Sequence, residues 1–78
     1  MNECGWEVID AFSSPYEYEH FEIWIDDQVK NGRVIQISVQ EYYAGPGFEE
    51  KWFICLKSCD TWRLVAPNAP FLGYWGLV

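Results

Sequence analysis

Apolar and polar residues alternate in short segments along this chain, which is typical of strands that bury one face. The segments are 6–12, 20–26, 33–43, 52–57 and 62–65. Turn-forming residues separate several of them, and no internal repeat or low-complexity stretch interrupts the pattern. The pattern predicts a mostly β domain: a small antiparallel sheet or a partly closed barrel of four to five strands.

The second and third segments predict a β-hairpin across Lys30-Asn31-Gly32. A two-residue turn would place apolar residues opposite polar ones, whereas a three-residue loop pairs Ile25 with Ile37 and Ile23 with Val39. The three-residue loop is therefore preferred. It also gathers an outward, solvent-facing group on the first strand: Glu22, Trp24 and Asp26.

A helix over residues 15–30 is the alternative, and it would make the domain α+β. Residues 14–17 (Ser-Pro-Tyr-Glu) have the sequence of an N-cap, a first-turn proline and a capping-box glutamate, and Asn31-Gly32 could end a helix. Its apolar stripe would consist of Tyr18, Phe21, Ile25 and Val29. Because the helix would leave Ile23 on its polar side, the strand is preferred.

The last twelve residues, 67–78, carry no charge and are rich in aromatic side chains. A free segment of this kind would promote aggregation, so it is expected to fold back and pack across the sheet. The alternative is an aromatic interface, with a partner or in a homodimer, formed by Phe71, Tyr74 and Trp75.

Acidic residues are concentrated at one end of the chain. The protein has 12 Asp and Glu against five Lys and Arg, and its net charge is −7. Residues 1–29 hold eight of the carboxylates and no Lys or Arg: Glu3, Glu7, Asp10, Glu17, Glu19, Glu22, Asp26 and Asp27. Such a surface repels nucleic acid and anionic membranes, and it steers basic proteins toward itself. No direct nucleic-acid or membrane partner is expected.

Length and composition limit the remaining possibilities. Seventy-eight residues predict a single domain over 1–78, and 15 aromatic residues exceed what so thin a core usually needs. The opening residues lack the basic and apolar regions of a secretory signal, and an odd number of cysteines, three, is a poor disulfide framework. These features predict a cytoplasmic protein with reduced cysteines.

No residue pattern predicts catalysis or a cofactor. His20 is the single histidine, and no nucleophile motif accompanies it. Cys4, Cys55, Cys59 and His20 could supply four zinc ligands, but Cys55 falls inside a predicted strand and the spacing is not that of a zinc knuckle. We therefore expect no catalytic residues, no bound metal, no cofactor and no enzymatic activity.

The combination of small size, regional acidity and spare aromatic residues predicts a binding protein. The leading hypothesis is an inhibitor that neutralises a basic, nucleic-acid-handling protein, as an immunity protein, an antitoxin or a phage anti-defence inhibitor does. The predicted partner-binding residues are Glu17, Glu19, Glu22, Trp24, Asp26 and Asp27. The alternatives are an accessory or structural subunit of a complex, and a small-molecule binding module with an aromatic pocket.

Overall fold

The computed structural model describes residues 6–45 and 47–78. These residues form one helix and four strands: α1 (Pro15–Lys30), β1 (Val34–Ile37), β2 (Glu50–Cys55), β3 (Thr61–Val65) and β4 (Tyr74–Leu77). The strands lie in the order β1-β2-β3-β4, and each neighbouring pair is antiparallel. The predicted four-stranded antiparallel sheet is confirmed. It is open rather than closed into a barrel, and the helix makes the domain α+β.

The beginning of α1 follows from the residues around its N-cap. The Ser14 hydroxyl accepts a hydrogen bond from the Glu17 backbone N–H at 3.1 Å, and Pro15 occupies the first turn, where no intrahelical N–H bond is needed. The Glu17 carboxylate accepts from the Ser13 hydroxyl and backbone N–H at 2.6 and 3.2 Å. These two bonds, the hydroxyl's first, lower the pKa of Glu17.

The end of α1 is a Schellman motif. Gly32 has a φ of +76°, a conformation that glycine adopts without steric cost. Its N–H donates to the Val29 carbonyl at 3.0 Å, and the Arg33 N–H donates to the Gln28 carbonyl at 3.2 Å. Asn31-Gly32 therefore ends a helix and is not part of a hairpin turn.

The predicted strand at 20–26 and its hairpin with 33–43 are wrong, and the alternative helix over 15–30 is confirmed. Tyr18 and Ile25 are buried, and Phe21 and Val29 pack against the same core, which is the stripe expected of the helix. Ile23 lies on the outward side with 69% of its surface exposed. The helix therefore does carry an exposed isoleucine, which was the reason for preferring the strand.

The face of the sheet toward α1 carries the main core. Side chains alternate between faces along a strand, and the strand register places Val34, Phe53, Trp62, Leu64 and Trp75 on one side. Each of these is at most 2% exposed, and they form one cluster with Phe12, Tyr18 and Ile25. Burial of this apolar surface holds α1 against the sheet.

The carboxyl-terminal segment joins the sheet as β4 and does not pack across it. Leu64 on β3 lies opposite Trp75 on β4. On the other side of β4, Ile9 exchanges two backbone hydrogen bonds with Trp75, at 2.8 and 2.9 Å. Of the predicted strand at 6–12, this single bridge is what forms. It partly covers the edge of β4, which otherwise presents unpaired backbone groups.

Candidate protein-binding surface

The solvent side of α1 combines carboxylates with apolar side chains. We call it the acidic helix face, and its members are Glu19, Ile23, Trp24, Asp26 and Asp27. All five are exposed, because the helix directs its 18-21-25-29 stripe to the core and these positions away from it. The face therefore lies on a regular element with fixed geometry.

Two of the predicted partner-binding residues, Glu17 and Glu22, also make contacts within the chain. Glu17 belongs to the N-cap arrangement described above. Glu22 forms an ion pair with Lys51 on β2 at 3.1 Å and accepts a hydrogen bond from the Tyr18 hydroxyl at 3.5 Å. Burial of Tyr18, followed by the nearby Glu22 charge, raises the pKa of that hydroxyl. Neither carboxylate is fully available to a partner.

The other predicted residues stay together on the acidic helix face. Asp27 accepts one hydrogen bond, from the Asn31 amide at 3.3 Å. Within the described part of the chain, the carboxylates of Glu19 and Asp26 have no ion-pair or hydrogen-bond partner. Neither carboxylate is therefore held by a contact within that part of the chain, and both face solvent.

Trp24 is held in place although 39% of its surface is exposed. Its ring packs edge-on against Trp6, with ring centroids 5.9 Å apart, and lies 5.2 Å from the ring of Phe21. An exposed aromatic ring that is already immobilised loses little conformational entropy when it contacts a partner.

Two grooves share Trp24 as a wall. The first, which we call the apolar groove, has a volume of about 340 Å³ and lies between the amino-terminal segment and α1; its lining is Trp6, Glu7, Val8, Ile9, Phe21, Trp24 and Trp75. The second, which we call the acidic groove, also has a volume of about 340 Å³ and is lined by Ile23, Trp24, Asp26, Asp27 and Lys30. The sequence interpretation missed both grooves, although a helical projection of residues 15–30 would have placed Trp24 next to Phe21 and Asp27.

The three residues predicted to form a carboxyl-terminal aromatic interface differ in exposure. Trp75 is 1% exposed, and its ring stacks on Trp62 in the main core. Phe71 and Tyr74 are half-buried: Tyr74 stacks on Tyr43 with ring centroids 4.6 Å apart, and Phe71 contacts Phe48 at 5.2 Å. Trp75 is therefore not available to a partner, and an interface or homodimer through the other two residues stays a prediction.

The opposite face of the sheet carries a second cluster, in which a side chain of the protein itself fills the space between aromatic rings. The Arg63 guanidinium lies over the rings of Tyr43 and Trp52, 5.3 and 5.4 Å from their centroids. The Glu50 carboxylate lies 3.8 Å from Arg63 Nε, and it accepts hydrogen bonds from the Trp52 indole and the Tyr43 backbone N–H. The chain's own arginine occupies this cage, and a cationic ligand would have to displace it.

The cysteines do not all remain reduced. Cys55 is fully buried and disulfide-bonded, to a partner outside the described residues, while Cys59 is free and exposed. The prediction of reduced cysteines is therefore wrong for Cys55. Because disulfides are uncommon in a reducing cytoplasm, the cysteines no longer support a cytoplasmic location.

We expect fewer maleimide adducts per chain on the denatured, unreduced protein than after reduction, because Cys55 is disulfide-bonded and reduction makes all three cysteines reactive. Intact mass spectrometry counts the adducts. Three adducts before reduction would contradict the disulfide at Cys55.

Residues 6–45 and 47–78 contain no group of three or more His, Cys, Asp or Glu side chains arranged to hold a metal ion. Their helix does not have the length and apolar character that crossing a bilayer requires. Comparison of the chain with protein-family models, curated proteins and solved structures gives no match.

Proposed function

We propose that this protein binds a basic, nucleic-acid-handling protein stoichiometrically and inhibits it, and that the acidic helix face is the contact surface. The observation that carries the proposal is that Glu19 and Asp26 are exposed, without an ion-pair partner among the described residues, on the same helix as the exposed ring of Trp24. Carboxylates accelerate association with a cationic partner, and a central aromatic residue supplies much of the binding energy at many interfaces.

The charge distribution supports a basic partner. The helix contains five carboxylates and one lysine, and the whole chain has a net charge of −7. Close, exposed carboxylates repel one another, an effect of a few tenths of a kcal/mol for each pair. A cationic surface removes this repulsion on binding. Proteins that bind nucleic acid carry such surfaces, because they use lysine and arginine to contact phosphates.

Reversing two charges on the acidic helix face is expected to abolish retention of basic proteins. Immobilised Glu19→Lys/Asp26→Lys protein is compared with wild type in a low-salt pull-down from bacterial lysate. Wild type should retain a basic nucleic-acid-binding protein that double-stranded DNA displaces and that rising salt releases.

The matched control is Glu41→Lys/Glu49→Lys, which makes the same change in net charge at exposed positions outside α1. It should retain the partner nearly as well as wild type. If both variants lose it equally, net charge and not this face determines binding. If wild type retains no basic protein, the acidity serves solubility alone.

An accessory subunit of a larger complex is the second candidate. It is favoured by Ile35 on β1 and Leu56 just after β2, which are 49% and 46% exposed. Copurification of one partner that remains bound in high salt, with no sensitivity to the Glu19 and Asp26 substitutions, would support this candidate instead.

A further inference from the structure

We propose that the apolar groove and the acidic groove together bind a partner segment in which an apolar side chain of about leucine size adjoins an arginine. The apolar side chain enters the first groove, and the guanidinium packs on Trp24 and pairs with Asp26 and Asp27. This inference rests on the proposed function and specifies the partner's chemistry at the same surface.

The apolar groove is formed by elements that already pack together. Its base is Trp75, whose backbone is joined to Ile9 by two hydrogen bonds. The ring of Phe21 lies 4.8 Å from Trp75, and that of Trp6 lies 5.3 Å from it. Since these walls contact one another, the groove exists before a partner arrives, and binding orders few side chains.

Apolar surface remains exposed to water in this groove. Val8 is 50% exposed and Trp24 is 39% exposed, although both line it. Among the described residues that line it, Glu7 alone is charged. A small free ligand usually needs several converging polar groups for orientation, whereas one apolar side chain of a protein is oriented by its own backbone.

Charge complementarity identifies the neighbour of that side chain. On the other side of Trp24, Asp26 and Asp27 contribute two negative charges and Lys30 one positive charge. The described lining of the acidic groove is thus negative overall, and it includes the ring of Trp24, which is 39% exposed. Arginine satisfies both features, since its guanidinium pairs with carboxylates and stacks on indoles.

The test uses the full chain labelled with 5-fluorotryptophan. The chain has five tryptophans, so it gives five ¹⁹F resonances. The probes are acetyl-Leu-Arg-amide, acetyl-Gly-Arg-amide and acetyl-Leu-Gln-amide. We expect the Leu-Arg probe to shift the signals of Trp6 and Trp24, and the Gly-Arg probe to shift Trp24 alone. Trp52, on the opposite face of the sheet, should stay unchanged with every probe.

Variants separate the two grooves. Asp26→Asn/Asp27→Asn should weaken Leu-Arg binding by about three- to tenfold, the range of two exposed ion pairs, while Glu41→Gln/Glu49→Gln should not change it. Lys30→Gln should strengthen binding about two- to threefold, because it removes a positive charge from the lining of the acidic groove.

Three results would overturn the inference. They are equal binding of the Leu-Gln and Leu-Arg probes, a Trp6 signal that stays fixed with the Leu-Arg probe while Trp24 shifts, and no probe binding at all. If the pull-down still depends on Glu19 and Asp26 in such a case, the proposed function survives without this groove. If the probes bind as expected but no basic protein is retained, the proposed function fails and the peptide site stands.

Discussion

Replacing Trp75 with alanine is expected to lower the free energy of unfolding by about 3–5 kcal/mol. Its side chain is 1% exposed and contacts the rings of Trp62, Phe21 and Phe53. It therefore joins β4 to both α1 and the centre of the sheet. A domain of this length has a total stability of roughly 4–12 kcal/mol at 0.05–0.15 kcal/mol per residue, so the loss would leave a marginal fold.

Urea unfolding followed by far-ultraviolet circular dichroism measures this effect. Trp75→Phe, which keeps a ring in the core, should lose less than Trp75→Ala. Trp24→Ala removes the same side chain from a position that is 39% exposed, and it should also be milder. A loss below about 1 kcal/mol for Trp75→Ala would contradict its central place in the core.

Replacing Glu50 with alanine is expected to destabilise the protein by about 3–5 kcal/mol, since it leaves the Arg63 charge without its carboxylate. The Glu50 side chain has no exposed surface, and that of Arg63 is 12% exposed. The substitution also removes the acceptor of the Trp52 indole and of the Tyr43 N–H. The contact between Tyr43 and the sheet should loosen as a result.

A double-mutant cycle tests the cause of this loss. Glu50→Leu/Arg63→Met removes both charges, so it should be more stable than Glu50→Leu alone. The exposed ion pair provides the matched control: Glu22 and Lys51 are 29% and 28% exposed, and Glu22→Gln should lose less than about 1 kcal/mol. Equal losses for Glu50→Ala and Glu22→Gln would show that burial does not strengthen the Glu50–Arg63 interaction.

These two stability predictions are independent of the binding surface. Trp75 and Glu50 lie on opposite faces of the sheet, and the acidic helix face is on the outer side of α1. Glu50 variants that remain folded should therefore bind a basic partner as wild type does, which separates loss of stability from loss of binding.

The sequence alone determined the strands at β2 and β3 and the acidic character of residues 1–29. It also contained both ends of α1, since a serine N-cap followed by proline and the Asn31-Gly32 pair are local signals whose hydrogen bonds form within a few residues. The carboxylates that were predicted to bind a partner all lie on α1. They are close together in the sequence, so they stay close whether the segment is a strand or a helix.

Tertiary structure decided between strand and helix over 15–30. Alternation of Phe21, Ile23 and Ile25 suits a strand, but five residues are too few to separate a period of 2 from one of 3.6. Packing of Tyr18 and Ile25 into the core, with Ile23 left in water, resolved the choice. The local sequence does not determine which side chains contact residues that are distant along the chain.

The environments of Trp75, Arg63 and Trp24 depended on tertiary structure for the same reason. An uncharged aromatic segment has the composition of either a core strand or an interface, and only pairing of β4 with β3 buried Trp75. Likewise, Trp24 became a wall between two grooves because residues 6–9 pack beside α1. Composition determines how much apolar and acidic surface a chain has, but contacts between distant segments determine which of it remains exposed to water.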